Sequence, residues 1–550
     1  MVKRPRAASG GSAALPARFA RNATSNYALT GVLMAVALIT TPVLTSHLGP
    51  VRFGIWIFVG STIAWVQLLD LGFGGAVVAA VARLSAAGED DTLQRTLNTS
   101  FFLLVLLGLV ALAVSALGAL LLPPAIHLRD PLAGTTRALL LLLGLDMAIS
   151  IPMDTFGCGM VALQRYDLLN ATLIGVAVCQ AIAWTVVLAN GGGLLALGIA
   201  TVAISLCGQA VRYGLFRRLL PRFSLSLGLV DRGLVRTLAT PAGWYALGDS
   251  LEGFRDYASV LVLGLVRNVA TAGIFAVGEK LATLGTKLGT PLVDPFFPHA
   301  AAMVGRGDDE RLGASARAGM RLTAGVTIPF CLVVAVLARP ALIAWVGPTY
   351  QRATPAVVIL AVAFGLRSLG AVPSRIVSGS GGQMLIAVTS SAEVATQVVL
   401  TAVLGWYLGI TGVALAVMGS VVCVELAVTL PLVTRRLRTG MVPLLTPVLR
   451  AHLLPLAVAG ALGVSLSAGP VTSVVRAHGR LAGVAAVAVA GAATLVVYAA
   501  VFGATSLDGD ARRGVVAWLR RTTPPAGPGE PEPATSPGGR VGPELTDPGR

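Results

Sequence analysis

Predominantly apolar stretches of about 20 residues recur through this chain from Tyr27 to Gly503. A stretch of that length is what an α-helix needs to cross the ~30 Å hydrocarbon core of a bilayer. In lipid every backbone N–H and C=O must be satisfied within the structure, which leaves helices and closed barrels. A barrel would show segments of about ten residues with strict alternation, and that pattern is absent. The fold class expected is therefore an all-α polytopic membrane protein. Composition agrees: 55% of the 550 residues are hydrophobic and 12% are charged, where an ordinary soluble domain is about 25% charged.

Hydropathy places fourteen spans, roughly at 28–46, 54–82, 99–122, 138–162, 169–189, 195–215, 242–265, 271–298, 319–338, 354–377, 384–407, 411–431, 449–467 and 481–503. Arginine and lysine fall mostly on one set of connections. Lys3, Arg4, Arg6, Arg18 and Arg21 open that set. Arg212, Arg217, Arg218, Arg222, Arg232 and Arg236 follow, then Arg306 to Arg321, Arg435 to Arg450 and Arg512 to Arg521. The opposite connections hold few bases, among them Arg52, Arg129, Arg267 and Arg352. By the positive-inside rule the first set is cytoplasmic. Both termini are then inside, in a multi-pass protein of the cytoplasmic membrane. The net charge of +16 is mostly this bias; it argues for contact with anionic membrane lipid and not for nucleic acid. Residues 1–26 are basic and lack an apolar core ending in a cleavage site, so the first span reads as an uncleaved anchor. The five cysteines lie inside spans without ligand spacing, which predicts neither disulfide nor metal.

The chain also repeats itself. LGPVR at 48–52 matches LGLVR at 263–267, and GEDD at 88–91 parallels GRGDDE at 305–310. Gln164 corresponds to Gln383, GLLALGIA at 193–200 to GITGVALA at 409–416, and Arg217-Arg218 to Arg435-Arg436. The near-constant offset of 215–219 residues predicts two parallel repeats of six helices. The division expected is a basic tail (1–26), a first lobe (27–218), a linker (219–240), a second lobe (241–436), an accessory helix pair (437–521) and a disordered tail (522–550) rich in Pro and Gly. Two six-helix lobes in one chain usually form a transporter around a central cavity.

Charges inside the spans are the candidate site. Residues 241–300 read as a hairpin that carries Asp249, Glu252, Arg255, Asp256, Glu279, Lys280, Lys287 and Asp294. A charge deep in a bilayer costs about 2.5–3.5 kcal/mol on insertion scales, so such groups pair or face a water-filled cavity. With the hairpin turn near residues 268–269, Asp256 matches Lys280 in depth, Asp249 matches Lys287, and Arg255 matches Glu279. Two stacked ion pairs, Asp256–Lys280 and Asp249–Lys287, are expected there, with Arg255–Glu279 beside them. The same arithmetic puts Arg367, Glu393 and Glu425 at one level. Two carboxylates close together do not both ionise easily, so Glu393 and Glu425 are candidates for carrying a coupling proton. The first lobe offers Asp70, Asp146 and Asp154 and no base within its spans; Asp146 and Asp154, eight apart, suit a polar cavity lining. Prolines 42, 291, 295, 298 and 329 are expected to kink their helices. Tryptophans 56, 65, 244, 345 and 406 suit interfacial belts or stacking on sugars. No GxxxxGK[ST] loop for nucleotide occurs, and no cofactor is implied.

An ordered set of short motifs carries a family resemblance over about residues 25–440. FGIW (53–56), LLDLGFG (68–74) and AAGEDD (86–91) come first; GIFAVGEKLATL (273–284), PLVDPFFPHAA (291–301), GRGDDERL (305–312), WVGPTY (345–350) and GITGVALA (409–416) follow. The set resembles the polysaccharide flippases (Wzx-type) of the multidrug/oligosaccharidyl-lipid/polysaccharide (MOP) exporter superfamily. What the resemblance implies is no enzyme but a translocase of polyprenyl-diphosphate-linked oligosaccharide, moving it from inner to outer leaflet by alternating access. Partners implied are that glycolipid, membrane lipid, and the glycosyltransferases and polymerase of the same pathway. Cations within the spans, Arg255, Lys280, Lys287 and Arg367, would meet the phosphates. The lipid II flippases are near relatives but carry arginines in their first spans and an early DAF-like motif; span 28–46 has neither. An ion-coupled drug or metabolite antiporter of the same superfamily is the rival reading. A membrane-embedded glycan polymerase or ligase is another, disfavoured because the longest external connection, 123–137, holds only Asp130 as an acid.

Overall fold

A computed structural model describes residues 14–67, 73–231, 233–235, 243–305 and 311–505. Asp70 and the C-terminal tail lie outside the described residues, as do the side chains of Asp249, Glu252 and Asp256. The described chain is helical from end to end. The first set comprises α1 (Ala14–Gln67), α2 (Phe73–Ala87), α3 (Asp90–Ala125), α4 (Leu132–Ala162), α5 (Tyr166–Ala189) and α6 (Leu194–Leu219). The second comprises α7 (Gly243–Val266), α8 (Val269–Val293), α9 (Phe296–Gly305), α10 (Leu312–Val336), α11 (Ala338–Val346), α12 (Thr354–Val377), α13 (Gln383–Ser420) and α14 (Leu430–Arg436). A final pair is formed by α15 (Met441–Leu466) and α17 (Gly479–Thr505), joined through the short α16 (Thr472–Ala477). Nine described stretches are long and apolar enough to cross a membrane. One of them, Pro348–Arg436, is 89 residues long, several times a single crossing at 1.5 Å per residue, and it turns back on itself.

Glycines make the corners. α1 runs from Ala14 to Gln67 through one break at Gly49 (φ 69°, ψ 174°), immediately before Pro50. A side chain at that φ would be strained, and proline then supplies no amide to continue the ladder. Gly381 (φ 87°) turns the chain between α12 and α13, and Gly409 (φ 59°) breaks α13 itself. The kinks expected at proline fall differently: α1 passes Pro42 and α10 passes Pro329 without a non-helical residue, whereas Pro295 stands in the gap between α8 and α9. Of the matched stretches, LGPVR (48–52) spans the Gly49 break and LGLVR (263–267) spans the end of α7, while Gln164 (φ 58°) and Gly381-Gly382-Gln383 lie at turns between helices.

Within the first set α4 packs on both α3 and α6, and α5 packs on α1; within the second α7 packs on α13, and α8, α10 and α12 pack on one another. The two sets meet where α1 packs on α7 and α8. The contact is backbone to backbone near the Gly49 corner. A Cβ on Gly273 would lie 2.8 Å from Gly54 Cα, one on Gly54 would strike the Val269 carbonyl, and one on Gly264 would lie 2.5 Å from the Phe58 ring. Small residues permit this approach where lipid offers no hydrophobic drive. Farther along, residues 26–38 of α1 and residues 280–295, from α8 and the gap after it, stand apart and line a cavity instead. The final pair packs on α10 and α11 and is held internally by a buried hydrogen bond between His452 and Tyr498, with Phe502 stacked on the imidazole.

Candidate functional site

Glu393 is the centre of the second set. It sits on α13 ahead of the Gly409 break, with 3% of its surface exposed. One carboxylate oxygen, Oε2, accepts from Arg255 Nη1 on α7 at 3.1 Å; the other, Oε1, accepts from Arg367 Nη2 on α12. One anion thus ties three helices. Each guanidinium is mostly buried, and Phe364 lies beneath that of Arg367, 5.9 Å from the ring centre. One turn along α13, Gln397 Nε2 donates to Ser259 Oγ at 3.0 Å and to the Arg255 carbonyl at 3.2 Å, which fixes α7 and α13 in register. Two desolvated cations on one carboxylate form a network that holds only while all three members are present.

Glu425 comes from the other side, on the π-helical segment Val421–Thr429 that follows α13. Its carboxylate occupies the space a side chain at Gly370 would need. Gly370 is one turn from Arg367, so the glycine admits Glu425 to the same neighbourhood. Arg367, Glu393 and Glu425 line one cavity of about 490 Å³ together with Arg255, Lys287, Arg375 and Asp294. Serine and threonine hydroxyls complete its wall; those of Thr323, Thr327 and Ser374, and Nε of Arg367, are buried without a hydrogen-bond partner among the described residues. Arg375 Nη2 bonds Asp294 Oδ1 at 3.0 Å across the cavity's more exposed end.

A second cavity, of about 620 Å³, lies between α1 and α8. Leu33, Met34, Leu38, Leu284 and Trp345 make most of it apolar. Lys280 enters it from α8, with Nζ 3.5 Å from Thr41 Oγ1 on α1. Thr283, Lys287 and Asp294 line both cavities, so the two adjoin across this face of α8.

The hairpin pairing expected from depth is placed as follows. Lys280 reaches toward Thr41, and Lys287 is exposed between the cavities. Asp249 and Asp256 lie on α7, their side chains outside the described residues. Arg255 forms its ion pair with Glu393 on α13, a partner that depth within one hairpin does not reveal. In the first set the expectation of no base needs correction. Arg212 lies inside α6, is 7% exposed, and pairs with Asp154 on α4 at 2.6 Å. Its place one turn before Arg217 and Arg218 made it look like part of the basic connection. Asp146 lies near Ser205 of the same helix, α6, and Gln209 Nε2 donates to Ser150 Oγ at 3.1 Å. Asp146 and Asp154 therefore both face α6, in a cluster of the first set separate from the Glu393 network. Of the tryptophans, Trp65 stacks on Phe254 with centroids 3.7 Å apart, and Trp345 Nε1 donates to the Leu38 carbonyl at 2.7 Å. Trp406 is exposed at a helix end, as a belt residue would be.

Comparison with known proteins agrees with this architecture. The family model for polysaccharide biosynthesis protein matches residues 43–355. No curated protein sequence matches the chain. Among solved structures, the inward-facing conformation of a multidrug resistance MATE family transporter of the MOP superfamily is similar, with TM-score 0.63 and 13% identity over 76% of this chain and 99% of that one. The lipid II flippase MurJ, in an inward closed conformation, is similar with TM-score 0.59 and 10% identity over 88% of this chain and 98% of that one. At such identities the likeness establishes the fold alone: the helical architecture that these two structures share.

Proposed function

We propose that this chain, which belongs to the polysaccharide biosynthesis protein family, flips a polyprenyl-diphosphate-linked oligosaccharide from the inner to the outer leaflet of the cytoplasmic membrane by alternating access. The observation that carries the reading is the pair of adjoining cavities. The physical task is to carry a sugar-diphosphate head across ~30 Å of hydrocarbon while its polyprenyl tail stays in an apolar path. The 490 Å³ cavity has the cations and hydroxyls that such a head requires. The 620 Å³ cavity offers the tail an apolar channel between α1 and α8. Lys287 stands on the wall they share, where a diphosphate joining head to tail would lie. Charge-assisted contacts of that kind are the strong ones.

In this reading the chain crosses the membrane fourteen times with both termini cytoplasmic, as two six-helix lobes plus an accessory pair. The helix corners at the repeat positions support it, and the Arg bias gives the direction. Reporter fusions after residues 130 and 475 should read external, and after 90, 228 and 440 internal. The Gly49 end, where the lobes touch, is then external, and the cavities belong to the inward-open state. Glu393 and Glu425, and Asp146 and Asp154 in the first lobe, are the groups proposed to couple an ion to the cycle.

The test is leaflet accessibility. In cells lacking the protein, labelled lipid-linked oligosaccharide should accumulate on the inner leaflet and reach an external probe only when the protein is restored. Unchanged outward movement combined with a loss of drug efflux would replace this reading with the antiporter.

A further inference from the structure

We propose that the junction between the second helical set and the C-terminal pair binds the phosphate of an anionic phospholipid headgroup. The argument is independent of the transported substrate. The chain leaves α14 through a tight turn, with Arg438 in the left-handed region (φ 52°), and enters α15 at Met441. Gly313, near the start of α10, lies against that turn: a Cβ there would be 2.5 Å from Thr439 Cγ2 and 3.2 Å from the Leu437 carbonyl oxygen. This close approach encloses a cavity of about 390 Å³ bounded by Arg317, Arg438, Thr439, Gly440, Pro443 and Leu444.

Three features of the cavity select an oxyanion. Arg317 on α10 and Arg438 in the turn, both exposed, line the cavity from two different elements. The first turn of the 26-residue α15 borders the same space, and its N-cap, Gly440, has no side chain to cap it. Pro443 has no N–H and Leu444 N donates to the Gly440 carbonyl, so the first helical residues Met441 and Val442 supply the N–H groups that lack intrahelical partners and favour phosphate. No carboxylate lines the cavity among the described residues.

A fourth feature selects a lipid over a free anion. Val442, Leu449 and Leu453 are exposed along α15. Their seven- and four-residue spacing puts them on one stripe of the helix, leading away from the cavity as an acyl chain would run. Basic pockets between membrane helices are the usual form of headgroup recognition.

The experiment uses the purified full-length protein in neutral detergent, titrated with phosphatidylglycerol, phosphatidylcholine or inorganic phosphate and read by native mass spectrometry and thermal shift. Wild type should prefer phosphatidylglycerol to phosphatidylcholine. The double variant Arg317→Gln, Arg438→Gln should lose about 30-fold in phosphatidylglycerol affinity. Removing equal charge elsewhere, by Arg217→Gln with Arg218→Gln, should change it less than threefold. The pair Arg317→Lys, Arg438→Lys keeps the charge and should stay within a few-fold of wild type, so a folding defect in the glutamine variant would not hide the result. Val442→Glu, which leaves both arginines in place, should also weaken the lipid and spare inorganic phosphate. The proposal is overturned by equal losses in the two glutamine variants, by no preference over phosphatidylcholine, or by inorganic phosphate binding as tightly as the lipid.

Discussion

Glu393→Gln is the substitution from which the Glu393 network is best judged. The glutamine keeps the shape of the side chain and removes its charge. What remains is two guanidinium groups, Arg255 and Arg367, each with less than a fifth of its side chain exposed, facing each other across a neutral amide. Each lost charge-assisted hydrogen bond is worth about 1.5–3 kcal/mol. Breaking a buried ion pair from one side costs about 3–5 kcal/mol because the stranded charge keeps its desolvation penalty. The two estimates agree, and imply a population shift of roughly 100-fold or more. The assay is the apparent melting temperature of the purified protein at fixed detergent and scan rate, since unfolding of such a chain is read as a rate. Glu393→Gln should melt several degrees below wild type. The triple variant Arg255→Met, Arg367→Met, Glu393→Met removes all three charges, and should melt at or above wild type. If the single variant melts with wild type, or the triple melts below the single, the network is not a desolvated one and the argument fails. Transport separates the roles further: a stable triple variant that no longer moves glycolipid shows that the arginines serve the substrate as well as the fold.

Gly370→Ala should cost about 1–3 kcal/mol by overpacking and displace Glu425, visible as a lower melting temperature that Glu425→Ala in the same chain restores. Arg212→Met should destabilise less than Glu393→Gln, because its partner Asp154 keeps 42% of its side chain exposed and can hydrate; the melting temperatures rank the two. In a charge-swap series, Lys280→Asp and Asp256→Lys should each lower transport and membrane expression. The double swap should recover them if the pair forms, and a double no better than either single removes it.

The fold was legible because membrane burial leaves the chain few choices. Apolar length alone dictates helices, and the residues at the breaks Gly49, Gln164 and Gly409 lie within the stretches from which the repeat was read. The site was legible only in part. Depth along a helix is one-dimensional, so it put Arg367 and Glu393 at one level, and the structure pairs them. It carries no azimuth, and so could not show that Arg255 faces α13. Position in a span misled at Arg212, where the run of arginines at the end of α6 concealed one that turns inward to Asp154. The partners that hold the network, Gln397, Ser259 and Gly370, are ordinary in sequence; only packing gives them meaning. The break in α13 at Gly409 falls in the gap expected between the spans 384–407 and 411–431.

The two kinds of cation in the second set differ in what they can do for a moving transporter. A ligand shifts a conformational equilibrium only by its difference in affinity for the two states. Arg255, Arg367 and Glu393 all belong to helices of one set and are tied to one another. If the lobes rock as bodies, a phosphate held by these arginines meets the same surroundings in both states and moves nothing, however tightly it binds. Lys280 and Lys287 stand at the boundary between the sets. Lys280 already reaches Thr41 on α1, and Lys287 lines the cavity that α1 encloses. A diphosphate seated there touches one set and approaches the other, so its binding energy changes as α1 and α8 separate or close. The glycine contacts of Gly54 and Gly273 at the far end are the opposing term, because they are lost when that end opens. On this argument the arginines set how well the head is held, and the lysines set whether holding it drives the cycle.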